Sequence, residues 1–409
     1  MIFKPADILL PHGAELEKWS VVACDQYTSQ PEYWQKAEEL AGSAPSALKI
    51  IFPEVYLGKG GDAERIDAIN KTMAGYLEDG IFDEFKDALI YCERTQSNGK
   101  VRKGLIGCID LEEYDFSKGS KSRVRATEGT ILSRIPPRRE IRKNAPLETP
   151  HIIMLADDPE KCVIEPLAQK KQSLKKLYDF ELMLGGGYIT GYLVSGDARD
   201  ELVRSISSFE NSEKRNGLVY AVGDGNHSLA TAKTCWENIK PSLSGAELET
   251  HPARYALVEL NNIHDGALEF EPIQRVVFGV EPQKLLEGLV KYYGASETDN
   301  GGQKINWTFK GREGAVYVKN APSSLAVGTL QNYLDKYIEE NGGEVDYIHG
   351  NGVVRELSMR GSTIGFMVDA MKKSELFPTV IADGALPRKT FSMGEAQDKR
   401  YYLECRKIK

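Results

Sequence analysis

The run Leu218-Val219-Tyr220-Ala221-Val222 is followed by Gly223-Asp224-Gly225-Asn226-His227, and then by Ser228-Leu229-Ala230-Thr231-Ala232, a good helical start. Five apolar or β-favouring residues, two glycines and a helical start dictate a strand, a tight turn and a helix in succession. The glycines open positive-φ conformations and let a ligand approach the backbone closely. The helix that follows offers unpaired N–H groups and the positive end of its dipole, a natural seat for phosphate or carboxylate. Gly225, Asn226 and Ser228 are therefore candidate phosphate-binding positions. Asp224 is suited to hold Mg2+ or accept a proton, and His227 to donate to a transferring phosphoryl oxygen. A structural turn capped by Asp or Asn fits the same spacing equally well.

Helical periodicity recurs elsewhere. Ile66, Ile69, Met73, Tyr76 and Leu77 form one apolar stripe. Leu174 and Leu177 suggest a second helix, Leu202, Val203 and Ile206 a third, and Leu285, Leu286, Leu289 and Val290 a fourth. Leu330, Leu334 and Ile338 mark a fifth, stopped by Gly342-Gly343. Short β-rich runs lie between them, at Ile152 to Leu155, Leu218 to Val222, Tyr255 to Leu260, Ala315 to Val318 and Tyr401 to Cys405. Strands alternating with helices predict a mixed α/β (α+β) fold, with mixed sheets and covering helices. Interruptions near Pro136-Pro137 to Pro150 and at Asp299 to Gln303 divide the chain into segments 1–150, 151–298 and 299–409. Such segments can still share one compact body. The triple glycine of Leu184-Gly185-Gly186-Gly187-Tyr188 has no helix after it and reads as structural.

Charge points to the same chemistry. The chain carries 52 Lys and Arg against 60 Asp and Glu, a net charge of −8, which disfavours non-specific nucleic-acid binding. Against that background the basic loop 118–143 holds nine Lys and Arg with only Glu128 and Glu140, and is where an anion would be drawn. Guanidinium binds phosphate bidentately, so Arg125, Arg134 and Arg138 are candidates for a clamp, with Thr127 and Glu128 in the same loop. Asp25 follows the apolar run Val21 to Ala23, where a carboxylate at a strand end can act as a general base or cap the next helix. Near the end of the chain Arg388 and Lys389 form a cation pair, and Asp265 and Arg275 flank a strand-like run. Six scattered cysteines without Cys-x-x-Cys, no apolar leader and no uncharged apolar run near the ~20 residues of a bilayer span predict a reduced, cytoplasmic protein with no membrane partner. P-loop, hydrolase-elbow, zincin and dinucleotide signatures are missing, since Ser228 stands where the last would need its third glycine.

The motifs Ala23-Cys24-Asp25-Gln26, Arg125 to Thr130, Asp224-Gly225-Asn226-His227, Asp265 with Arg275, and Pro387 to Thr390 together resemble the bacterial and archaeal domain of unknown function 1015 family, over nearly the whole chain. That family's central motif is usually Asp-Gly-His-His-Arg-Tyr. Asn226 and Ser228 depart from it here, as does Gln274, where a His often precedes the Arg. The motif is also similar to that of the ParB and sulfiredoxin superfamily, which includes ADP-dependent free serine kinases, and the resemblance implies a ParB/sulfiredoxin-like central unit. It further implies phosphoryl transfer on a small hydroxy amino acid, serine or O-phosphoserine, with Mg2+ and with ADP, ATP or another phosphate carrier. In that reading Asp224 binds Mg2+, Arg125 and Lys389 neutralise the phosphoryl group, and Asp25 or Glu128 orients the hydroxyl or water. The partner is then a small phosphorylated amino acid or nucleotide rather than nucleic acid. A phosphoserine phosphatase and a non-catalytic ParB-like binding module are the alternatives, while a sulfiredoxin-like reductase would need a cysteine where Asn226 stands.

Overall fold

The computed structural model describes residues 1–24, 27–28, 30–149, 152–215 and 217–409. Asp25 therefore lies outside the described residues. The chain forms two units, Met1–Leu268 with Glu395–Lys409, and Glu269–Gly394. The fold is mixed α/β, as the alternation of strand and helix patterns predicts.

The first unit is organised by the strand Tyr255–Asn262, in which every residue is buried. Its side chains alternate between two cores: Tyr255 and Leu257 join one, while Ala256, Val258 and Leu260 join the other. A strand covered on both faces reads as a continuous apolar run, which is how this one reads in the sequence. It pairs antiparallel with Val101–Asp110 and parallel with Ile153–Ala156. Beyond Ile153–Ala156 come Tyr220–Asp224, antiparallel, and then Val124–Ala126, parallel to Tyr220–Asp224. On the other side of Val101–Asp110 lie Phe82–Thr95, Tyr188–Val194 and Lys175–Glu181, all antiparallel. The helices Gly196–Glu210 and Asn226–Ile239 cover one face through Leu202, Ile206, Phe209, Leu229 and Trp236. Pro31–Ala41 and Asp62–Glu78 cover the other through Trp34, Ala37, Ile69 and Met73.

Three expectations change. Leu177 belongs to the strand Lys175–Glu181 rather than to a helix. Tyr178 and Phe180 are buried while Asp179 and Glu181 are exposed, a period of two, and the triple glycine closes the hairpin to Tyr188–Val194 with positive φ at Gly185 and Gly187. Tyr401–Cys405 is not one strand. Tyr401–Tyr402 pairs with Val21–Val22, and Arg406–Lys407 pairs with Leu147–Glu148. Pro136 and Pro137 do not break the chain either, because they open the helix Ile135–Arg142, where proline costs no hydrogen bond.

The second unit is an antiparallel sheet in the order Arg312–Val318, Gln303–Phe309, Thr363–Met367, Phe270–Phe278 and Glu344–His349, with Phe391–Met393 also on Phe270–Phe278. Helices Pro282–Tyr293 and Ala326–Asn341 match the two apolar stripes read there. Among the described residues no helix is long and apolar enough to cross a membrane.

A buried ionic cluster lies on the central strand of the first unit. Glu259, in the middle of the central strand, is met by Arg102 Nε at 3.3 Å and by Arg400 Nε at 3.0 Å, and Asn261 Nδ2 donates to it at 3.0 Å. Burial pushes the Glu259 carboxyl up, and Arg102 and Arg400 outweigh it, so the group lies below the usual carboxylate range. A buried ion pair stripped of one member leaves an uncompensated charge. Glu259→Gln should therefore lower the unfolding free energy by about 3–5 kcal/mol in urea titration. Because the folded-state pKa is depressed, Glu259 stabilises the fold above its unfolded value of about 4.3, and that stability is lost as pH falls through the folded value. The Gln variant should show a shallower loss of stability below that pH, and an unchanged acid slope would assign the acid sensitivity to other groups.

Candidate functional site

The turn after Tyr220–Asp224 has the geometry its residues predict. Thr127 Oγ1 donates to the Val222 carbonyl at 2.6 Å, tying the basic loop to the strand end. Asp224 Oδ1 accepts from the Gly225 amide at 2.9 Å. Gly225 has φ 82° and caps the helix Asn226–Ile239 without a side chain. A Cβ there would come within 3.0 Å of Ile152 Cγ1 and 3.1 Å of its Cα, so both the backbone and the space demand glycine. The helix is held on the sheet by Leu229, Ala232 and Trp236, which aims its first turn past the strand end. Helix geometry gives the amides of that turn no acceptor one turn back.

His227 accepts from the Ile131 amide through Nε2 at 3.2 Å. A neutral His227 then carries its proton on Nδ1, so any donation to a phosphoryl oxygen comes from that nitrogen. Among the described residues, Thr130 Oγ1 and Asn226 Oδ1, each next in sequence to one partner of this contact, are buried atoms without a hydrogen-bond partner.

The structure adds a residue that local motif reading missed. Lys399 Nζ stands 3.4 Å from Asp224 Oδ2. The backbone around Lys399 is fixed from the sheet. Arg94 donates to the carbonyls of Lys399 and Gln397, and to Gly186 O at 2.9 Å. Arg102 Nη1 donates to Asp398 O at 2.7 Å, and the Asp398 carboxylate accepts from the Ser97 amide at 2.8 Å and hydroxyl at 2.6 Å. Burial, reinforced by Arg102, pulls the Arg94 guanidinium down to about 10. The only sequence signals for this network were Glu259 inside an apolar run and the charged triplet Asp398-Lys399-Arg400 ahead of Tyr401.

Other expected residues lie differently. Arg125 is buried, and its guanidinium donates to Ser122 O at 2.8 Å and Gly217 O at 3.2 Å, toward the opposite end of Tyr220–Asp224 from Gly225. It holds two chain segments together instead of forming a clamp at the turn, and burial lowers its pKa. Arg138 is paired with Glu54 and donates to Arg134 O at 2.9 Å. Arg134 is exposed, while Glu128 and Ser228 are half-buried. Arg275, Arg388 and Lys389 belong to the second unit. Arg275 is fully buried there, bonded to Gln331 Oε1 at 3.1 Å and to Arg388 O at 2.8 Å; Arg388 pairs with Asp335 at 2.5 Å, and Lys389 is exposed. The role of Asp224 as a metal ligand fits poorly. Its Oδ1 is taken by Gly225 and its Oδ2 faces Lys399, and among the described residues no group of three or more His, Cys, Asp or Glu is placed to hold a metal ion.

A family model described as Protein of unknown function (DUF1015) matches residues 5–357. The chain matches no curated protein. Among solved structures it is similar to a mutant free serine kinase in complex with ADP, at 12% identity over 76% of this chain and 93% of that one, with a TM-score of 0.40. It is similar to a free serine kinase in complex with AMP at 12% identity over 74% and 91%, TM-score 0.39. A conserved hypothetical protein from Pyrococcus furiosus shows 11% identity over 72% and 92%, TM-score 0.36.

Gly225→Ala tests the turn. The left-handed backbone alone costs an L-residue roughly 1–2 kcal/mol, and the Ile152 contact adds to it. Urea unfolding should register at least that loss; an Ala variant as stable as the parent would mean the turn has another conformation.

Proposed function

The chain belongs to the family described as Protein of unknown function (DUF1015), and from that premise we propose that it is a phosphotransferase acting on a small hydroxy amino acid of the serine class, with a nucleotide as phosphate carrier. The observation that carries the proposal is the Gly225 turn: a helix start of ordered amides beside a largely buried lysine paired with Asp224. Phosphoryl transfer needs positioning and charge neutralisation more than an elaborate nucleophile, and this turn offers both. The choice of serine follows from the resemblance of the Asp-Gly-Asn-His motif to that of the serine kinases.

In the synthetic direction the serine Oγ forms a P–O bond to the transferring phosphoryl group, the bond to the nucleotide's leaving oxygen breaks, and the hydroxyl proton passes to a carboxylate. The amides of Asn226 to Ser228 are proposed to cradle the phosphoryl oxygens, with His227 as the side chain that donates to them. Asp25 and Glu128 are the carboxylates proposed to orient the hydroxyl. No step requires Asp224 as a metal ligand; a divalent ion would arrive on the nucleotide's own phosphates, as Mg2+ commonly does.

The test incubates pure protein with O-phosphoserine and Mg2+, with and without ADP, AMP or phosphate, and follows serine release. Release only with an acceptor is the expected result. Release without one would make the protein a phosphatase, and no release under any condition would favour a non-catalytic binding module. Asp224→Asn should reduce turnover at least a hundredfold. Asp224 is one-third exposed, so losing its pair costs about 1 kcal/mol or less and moves the melting temperature by only a few degrees. A variant that unfolds would instead make Asp224 a structural cap.

A further inference from the structure

Most arginines of the basic loop are already engaged. Arg123 donates to Glu210 O at 2.6 Å, Arg125 to two carbonyls, Arg138 to Glu54, and Arg142 to Glu148 at 2.6 Å. Lys399 is engaged far less. Its side chain is 10% exposed, and among the described residues its one recorded contact is the 3.4 Å approach to Asp224 Oδ2. That is longer than the 2.7–2.9 Å of a charge-assisted hydrogen bond, and an ammonium has three donors to place. Burying a lysine against a single distant carboxylate is unfavourable unless another anion completes its shell. Meanwhile Arg94 and Arg102 hold the carbonyls of residues 397–399, so the lysine is preorganised at its root.

We propose that Lys399 is the cation that binds the phosphoryl oxygens at the Gly225 turn, in the place expected of the basic loop. Lys399 lies beyond the residues that the family model matches, and the assignment rests on the phosphoryl-transfer reading of the same turn. Its ligand is the terminal phosphate of a nucleoside diphosphate or a phosphate monoester. The ammonium donates to a phosphoryl oxygen while keeping Asp224 as its second partner.

Calorimetric titration of the full chain with inorganic pyrophosphate, with ADP and with serine tests it. Lys399→Met should weaken pyrophosphate and ADP binding at least tenfold and leave serine binding within about twofold. Lys399→Arg should retain most of the lost affinity. If Lys399→Met is poorly folded because Asp224 is left unpaired, the Asp224→Asn/Lys399→Met double variant, which removes both charges, should recover the melting temperature without recovering pyrophosphate affinity. Pyrophosphate binding unchanged in Lys399→Met, or a loss confined to serine, overturns the assignment. A parent that binds pyrophosphate through Lys399 yet turns over no serine supports Lys399 and sinks the kinase reading. A parent that binds neither pyrophosphate nor ADP overturns both.

Discussion

The buried carboxylate of Glu259 is the point on which the first unit turns. A charge in the middle of a strand covered on both faces is tolerable only when opposite charges reach it, and two do, from different parts of the chain. Arg102 comes from the neighbouring strand, and Arg400 from the segment that ends the chain. Arg400 is also paired with Glu404, which accepts from Tyr178 OH at 2.6 Å. Sheet and terminal segment are thus joined by buried ionic contacts. The residue before Arg400 is Lys399, so the interaction that fixes the segment also sets where a cation stands beside Asp224.

Much of this architecture was legible wherever the pattern was local. The stripe Ile69 and Met73 gave a helix, and so did the runs at 202–206, 285–290 and 330–338, because each repeats one apolar face within a few residues. The strand–turn–helix around Gly225 was legible for the same reason. Leu174 and Leu177 misled because a three-residue spacing between two leucines also occurs by chance, while the deciding pattern was the alternation of Tyr178 and Phe180 with Asp179 and Glu181. The long hairpin Phe82–Thr95 and Val101–Asp110 escaped notice because its buried face mixes charge with apolar side chains, Arg94 and Arg102 among them.

The basic loop shows what a local charge count leaves out. An excess of cations over a short segment raises the potential around it, yet it does not say which of them are committed to the fold. Arg125 spans Ser122 and Gly217, and Arg142 meets Glu148, which also accepts from Arg406 Nε at 2.8 Å. These guanidiniums are structural because each closes a contact that a loop or strand end would otherwise leave to water. Arg275 does the same in the second unit. A single buried lysine with one loose partner is the more telling feature, and it becomes visible only when residues far apart in sequence are brought together.

The pairing of Asp224 with Lys399 also resolves a conflict within the turn. A carboxylate at the mouth of an anion seat is a liability: two unit charges 4 Å apart near a protein surface repel by about 4 kcal/mol. The helix N-terminus favours an anion by only about 0.3–1 kcal/mol in exposed settings. Standing alone, Asp224 would cancel the attraction of the amides beyond it. With Lys399 at its Oδ2 and the Gly225 amide at its Oδ1, the carboxylate's charge is largely balanced before any ligand arrives. The partial positive charge of the helix start is then left uncompensated, and Asp224 can hold the turn and the lysine in place without repelling the anion proposed to bind there.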